Sequence, residues 1–195
     1  MILDEGKIEK ISDEELVSKV LENEDYFLYL MRRYETKLLA YILRISSNNS
    51  EEAEDILQDV FIKVYKNLNN FDTNLKFSSW IYRITHNEVI SKYRKNKKIL
   101  QFSDQELKDE IFNRIVDDFD VKEKVDNDIL RNKLLKNIDL LDEKYRNVLV
   151  LKYFEDKEYA EISDILEKPV GSVATLLYRA KKELANLLHQ DDFKK

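Results

Sequence analysis

Apolar side chains recur every three or four residues along most of this chain, and only short polar runs interrupt them. The most regular stretch is EEAEDILQDVFIKVYKNL, where Ala53, Ile56, Leu57, Val60, Phe61, Val64 and Leu68 share one stripe of a helix. Ahead of it, Phe27, Leu30, Met31, Tyr34, Leu38, Tyr41, Ile42 and Ile45 predict an amphipathic helix from Asp25 to Ile45, ended by SSNNSEE. Further upstream, ISDEEL offers Ser12 as an N-cap with Glu15 three positions on. This capping box starts a short helix to about Glu22, and the segment reads as an extension open to solvent. Beyond the polar loop NNFDTN, Ser78 and Ser79 are candidate N-caps of a helix whose apolar stripe is Phe77, Trp80, Ile81 and Ile84.

From Ile99 to Asp128 periodicity fades, and the segment reads as a linker. Helical spacing resumes with Leu130, Leu134, Ile138 and Leu141, then with Tyr145, Val148, Leu149 and Lys152 after Asp142 as N-cap. A short helix from Tyr159 to Leu166, the turn EKPVG and a longer helix beginning near Ser172 complete the pattern. The long helix has the stripe Val173, Leu176, Leu177, Ala180, Leu184, Leu187 and Leu188. Two helices joined so closely, with Ala160 and Ile162 turned toward the partner helix, look like a helix-turn-helix. The expected fold is all-α: two small helical domains joined by an acidic linker, the C-terminal one containing the helix-turn-helix. The boundaries expected are an N-terminal extension over 1–22, a first domain over 23–98, the linker over 99–129, a second domain over 130–189 and a tail over 190–195.

Composition supports helix, since two Gly and one Pro leave little material for hairpins or Gly-dependent phosphate loops. The absence of Cys excludes disulfides and thiolate metal sites. No signal-peptide pattern opens the chain, and no apolar run approaches the roughly 20 residues that span a bilayer, so a soluble cytoplasmic protein is expected. His86 and His189 are far apart and the carboxylates are spread over solvated faces. No catalytic or metal constellation emerges, and neither enzyme activity nor a cofactor is expected.

Charge changes the picture further. The net charge is −6, yet Lys76 to Lys98 carries seven Lys and Arg against Glu88 alone, and Ile99 to Asp128 carries ten acids against four bases. Within the basic segment Arg83, Asn87, Ile90, Arg94 and Lys97 line one flank and Tyr82, His86, Val89 and Tyr93 the next. A basic row beside an aromatic row suits a nucleic-acid strand, cations meeting phosphates and rings stacking on unpaired bases; a solvated lysine-rich helix end is the alternative. On the helix before it, Asp55, Gln58, Asp59 and Ile62 form an outward row that sets an isoleucine among acids. That row is either a docking face or a solvated face with a stray apolar residue. On the last helix Ser172, Thr175, Arg179 and Lys182 face outward, as groove and phosphate contacts should.

The segments EEAEDILQDVFIKVYKNLNNF, FSSWIYRITHNEVISKYRK and YAEISDILEKPVGSVATLLYRAKKEL, in this order and separated by an acidic linker, resemble sigma factors of the sigma-70 superfamily, in particular the extracytoplasmic-function (ECF) branch. The likeness covers about Asp25 to Lys97 and Leu130 to Leu188. It implies a factor that binds core RNA polymerase, directs it to promoters and helps open the minus-ten region. By this resemblance Asp55, Gln58, Asp59 and Ile62 grip the polymerase, and Lys76, Ser79, Arg83, Asn87, Arg94 and Lys97 touch minus-ten DNA, while Trp80 is a core residue. Lys168, Ser172, Thr175, Arg179 and Lys182 belong to the reader of the minus-thirty-five element. The linker threads through the polymerase, and an anti-sigma factor is an expected partner beside polymerase and promoter DNA. The sequence departs from the family at Glu167, where Gly is usual, and at Ala174 and Leu176, where basic residues are common. The rival readings are a stand-alone helix-turn-helix regulator and a sigma-like protein that sequesters a partner.

Overall fold

The structure, a computed structural model, describes residues 8, 10–46, 50–72, 75–93, 137–138 and 140–192. The chain falls into two compact units that divide near Lys97 and Lys98, except that Asp164–Leu166 are grouped with the first. Arg94, Lys97, the acidic linker and the predicted helical positions Leu130 and Leu134 lie outside the described residues.

The first unit begins with α1, Asp13–Glu22, started by the predicted capping box: the Ser12 hydroxyl accepts from the Glu15 N–H, and the Glu15 carboxylate accepts from the Ser12 N–H. A single 3-10 turn, Glu24–Tyr26, leads into α2, Phe27–Ile45, and then come α3, Ser50–Asn67, a second 3-10 turn, Leu68–Asn70, and α4, Phe77–Tyr93. Helices α2, α3 and α4 pack on one another, and α1 lies against α2 and α4. The predicted stripe of α3 is buried from Ala53 to Leu68.

Two expectations need correction here. Within the segment expected as a solvated extension over 1–22, α1 is not solvated all round, because Leu16, Val17 and Val20 are buried and α1 belongs to the first unit. Nor do Ser78 and Ser79 cap α4. The helix starts at Phe77, with the Lys76 carbonyl accepting from the Trp80 N–H at 3.2 Å, so both serines fall inside the first turn.

The second unit has α5, Glu143–Leu149, a turn of π-helix over Val150–Phe154, α6, Tyr159–Leu166, and α7, Val170–Asp192. Asp142 takes the expected N-cap position, but its side chain caps nothing and instead pairs with Lys144 at 3.4 Å. The π-turn ends where the Glu155 N–H reaches back to the Val150 carbonyl and Asp156 adopts φ 52°. Its Tyr153 is buried, with the Lys181 ammonium of α7 5.5 Å from the ring centre. Helix α7 packs chiefly on α5 and buries Val173, Leu177, Ala180 and Leu184 of the predicted stripe, while Leu176, Leu187 and Leu188 are half-buried. Among the described residues no helix is long and apolar enough to cross a membrane.

Candidate functional site

Helix α3 is two-sided. While one stripe is sealed in the core, Asp55 and Gln58 are exposed on the other side and Ile62 is 50% exposed. Asp59 is partly covered, since its carboxylate is ion-paired with Lys92 of α4, and one turn on Lys63 pairs with the buried Glu88. These two pairs of opposite polarity join the acidic and the basic helix, yet they leave the outer row Asp55, Gln58 and Ile62 open. The row also runs further than the sequence reading placed it. Tyr65, three residues after Ile62, is 45% exposed; its hydroxyl donates to Glu24 Oε2 at 2.6 Å and its ring lies 5.1 Å from that of Phe27. The hydrogen bond to Glu24 raises the Tyr65 pKa above its ordinary value. Its i+3 spacing from Ile62 was the available signal.

Helix α4 is covered almost all round, because α1, α2 and α3 each pack against it. Ser79, Trp80, Ile81 and Tyr82 are four consecutive buried residues, spanning a full turn. Ser79 is therefore corrected as a DNA contact: it is 2% exposed, and its hydroxyl has no hydrogen-bond partner. The aromatic row is corrected too. Tyr82 is buried with its ring 5.1 Å from that of Tyr41, Val89 is buried, and His86 Nδ1 is hydrogen-bonded to the Tyr41 hydroxyl at 3.1 Å. Tyr82 and His86 thus bind α4 to α2 and, with the buried Val89, offer no stacking platform, while the Tyr93 side chain lies outside those described.

What α4 leaves outward is polar. Lys76 and Asn87 are exposed and Arg83 is half-buried. Asn87 lines a cleft of about 490 Å³ between α3 and α4, together with Trp80, Ile84 and Ser91 from its own helix and Lys63 and Asn67 from α3. The cleft has an apolar wall and a carboxamide able to donate and accept, a combination that can hold and read a flat heterocycle. The loop before α4 is anchored at both ends by rings: Phe71 lies 5.4 Å from Phe77 and 5.3 Å from Trp80.

The helix-turn-helix forms as predicted over Tyr159–Leu166, with Ile162 and Ile165 buried. Ala160, expected to face the partner helix, is exposed instead. Glu158 and Glu161 build a capping box at its start, the Glu158 N–H donating to Glu161 Oε2 at 3.0 Å. At its end Glu167 adopts the left-handed conformation, φ 52° and ψ 45°, which glycine would take more easily. Helix α7 then starts two residues earlier than predicted, because the Pro169 carbonyl already accepts from the Val173 N–H at 3.1 Å. Lys168, Ser172, Thr175, Arg179 and Lys182 are all exposed. Ala174 is exposed and brings no cation, while Leu176 is half-buried. Tyr178, 70% exposed beside Arg179, joins this face; its place one residue beyond the buried Leu177 was the overlooked sign.

A helix-turn-helix, with a cleft lined by Asn87 and an outward acidic row on a separate set of helices, is the architecture of a DNA-reading transcription factor. The family model of sigma-70 region 2 matches residues 30–99, and that of sigma-70 region 4 matches residues 131–184. The ECF RNA polymerase sigma factor SigW of Bacillus subtilis (strain 168) is 35% identical over 170 residues, covering 85% of this chain and 90% of that protein. RNA polymerase sigma factor YlaC of the same organism is 30% identical over 166 residues, covering 84% and 92%. The structure of CnrH in complex with the cytosolic domain of CnrY superposes with a TM-score of 0.67 at 22% identity, over 93% of this chain and 99% of that one. The sigma factor RpoE from Bartonella quintana, in complex with the anti-sigma factor NepR, gives a TM-score of 0.61 at 19% identity, over 84% and 96%. The chain belongs to the ECF branch of the sigma-70 family, and its function is that of a sigma factor, directing RNA polymerase to promoters.

Proposed function

We propose that the three outward surfaces divide the work of initiation. The row Asp55, Gln58, Asp59 and Ile62 docks on core RNA polymerase. Lys76, Arg83 and Asn87, with the cleft beside Asn87 receiving an unstacked base, hold the minus-ten strand. Lys168, Ser172, Thr175, Arg179 and Lys182 read the minus-thirty-five duplex, with Tyr178 among them. Arg94 and Lys97 extend the minus-ten surface by sequence alone. The observation that carries the docking assignment is Ile62, half-exposed among acids on a helix whose opposite face is sealed. Such a side chain is well placed to become a buried anchor in a complex. In this reading the minus-ten domain begins with α1, and 99–129 links it to the minus-thirty-five domain. The protein acts in the cytoplasm, where polymerase and promoter meet. An anti-sigma factor is a further partner, a reading supported by the complex in which the RpoE relative was solved.

Run-off transcription with purified core polymerase tests this. Ile62→Asp is expected to weaken core binding about tenfold or more, as loss of an interface anchor does, and to leave the melting curve of the free protein unchanged. Core binding at wild-type strength by both Ile62→Asp and Asp55→Ala would remove the docking face from the account. Specific initiation by the wild-type chain excludes both a stand-alone regulator and a partner-sequestering protein.

A further inference from the structure

We infer that Glu14, on α1, is a positioning residue for strand opening: its carboxylate caps α4 from outside the helix and fixes where the minus-ten loop joins it. The inference rests on the reading of α4 and the preceding loop as the minus-ten surface. The residue at the N-cap position of α4 cannot itself cap the helix. Lys76 holds the N-cap position, and an ammonium has no acceptor for the orphan N–H groups of the first turn. Ser78 and Ser79 come too late, and Ser79 is turned into the core. The Phe77 N–H donates instead to Glu14 Oε1 at 3.0 Å, across a separation of 63 residues. A carboxylate there also complements the positive end of the helix dipole.

Glu14 is itself held for this task. Its helix buries Leu16, Val17 and Val20. Its neighbour Asp13 accepts from the Tyr34 hydroxyl and pairs with Arg33 at 2.6 Å, while Arg33 also donates to the carbonyls of Ile8 and Ile11 at 2.9 and 3.2 Å. The Tyr34 ring lies 5.6 Å from that of Phe77, so Asp13 and Glu14 secure the same joint, one through the ring and one through the backbone. Lys76, a proposed DNA contact, is one residue from the capped amide. Freedom removed there in advance is freedom that DNA binding need not freeze.

Holoenzyme assembled from the full chain, with 2-aminopurine fluorescence in the minus-ten element reporting opening, provides the test. Glu14→Ala is expected to slow opening about fivefold, the size of one lost helix cap, with unchanged affinity for core polymerase. Glu14→Gln, whose amide oxygen still accepts, should recover most of that rate. Ser12→Ala removes the capping box of α1 without touching Glu14; if it slows opening as much as Glu14→Ala, general loss of stability explains both and the positioning role is overturned. Slow opening by Asn87→Ala with normal opening by Glu14→Ala overturns the positioning role alone. Normal opening by Asn87→Ala overturns the minus-ten reading, and the role of Glu14 with it.

Discussion

Ser79 shows how much a single position depends on its surroundings. Helical spacing alone leaves it on the rim of the basic flank, but with α1, α2 and α3 all packed on α4 its hydroxyl is enclosed and without a partner. An unsatisfied buried hydroxyl is unfavourable by about 1–3 kcal/mol, so Ser79→Ala is expected to leave promoter opening intact and to raise the unfolding free energy in urea by roughly 1 kcal/mol. Impaired opening in a stably folded Ser79→Ala variant would restore it as a DNA contact. Tyr34 makes a prediction of its own. Burial, and then the hydrogen bond to Asp13, push its hydroxyl pKa far above the ordinary 10.0. Because the folded form keeps a proton that the unfolded chain releases, this contribution to stability is complete below pH ~10. It falls by up to about 1.4 kcal/mol per pH unit above it. Urea melts at pH 9 and 11 should show that slope in the wild type and a shallower one in Tyr34→Phe.

Elements were legible where one periodic stripe met one partner surface. The stripe of α3 and the span of α6 follow from spacing and turn chemistry, and the structure reproduces both. Helix α4 was misread on its aromatic side for a physical reason. A central helix has no outward half, so the second row that looked like a stacking platform is the face against α2. The π-turn after α5 was likewise illegible, since VLKYF, apolar but for Lys152, suits an ordinary helix and the shift shows only in the backbone, where the Glu155 N–H reaches the Val150 carbonyl. For α7, side-chain chemistry distinguishes two kinds of contact on its exposed face. On minus-thirty-five duplex DNA, Arg179→Ala is expected to lower the slope of log affinity against log salt by about one if it meets a phosphate, whereas Thr175→Ala should change sequence preference and leave the slope alone. Equal slopes for wild type and Arg179→Ala would take Arg179 off the backbone.

At the scale of the whole molecule, charge segregation has a consequence for the free protein. The chain carries six net negative charges, and Lys92, one cation of its basic segment, is already paired with Asp59. The isolated chain should therefore bind promoter DNA only weakly at physiological ionic strength, with a Kd no tighter than about 10⁻⁶ M. Addition of core polymerase should produce tight, specific binding. Fluorescence anisotropy with and without core polymerase measures both; tight binding by the chain alone would show that the acidic surroundings do not hold it off DNA.

The sequence by itself determined the helical class, the order of the helices, the helix-turn-helix and the outward row of α3, because each depends on residues within a few turns of one another. Only the tertiary structure decided which flank of α4 remains open, that α1 belongs to the first domain, and that the cap of α4 comes from Glu14. Those outcomes join residues far apart along the chain, where local spacing carries no information about which surfaces will meet.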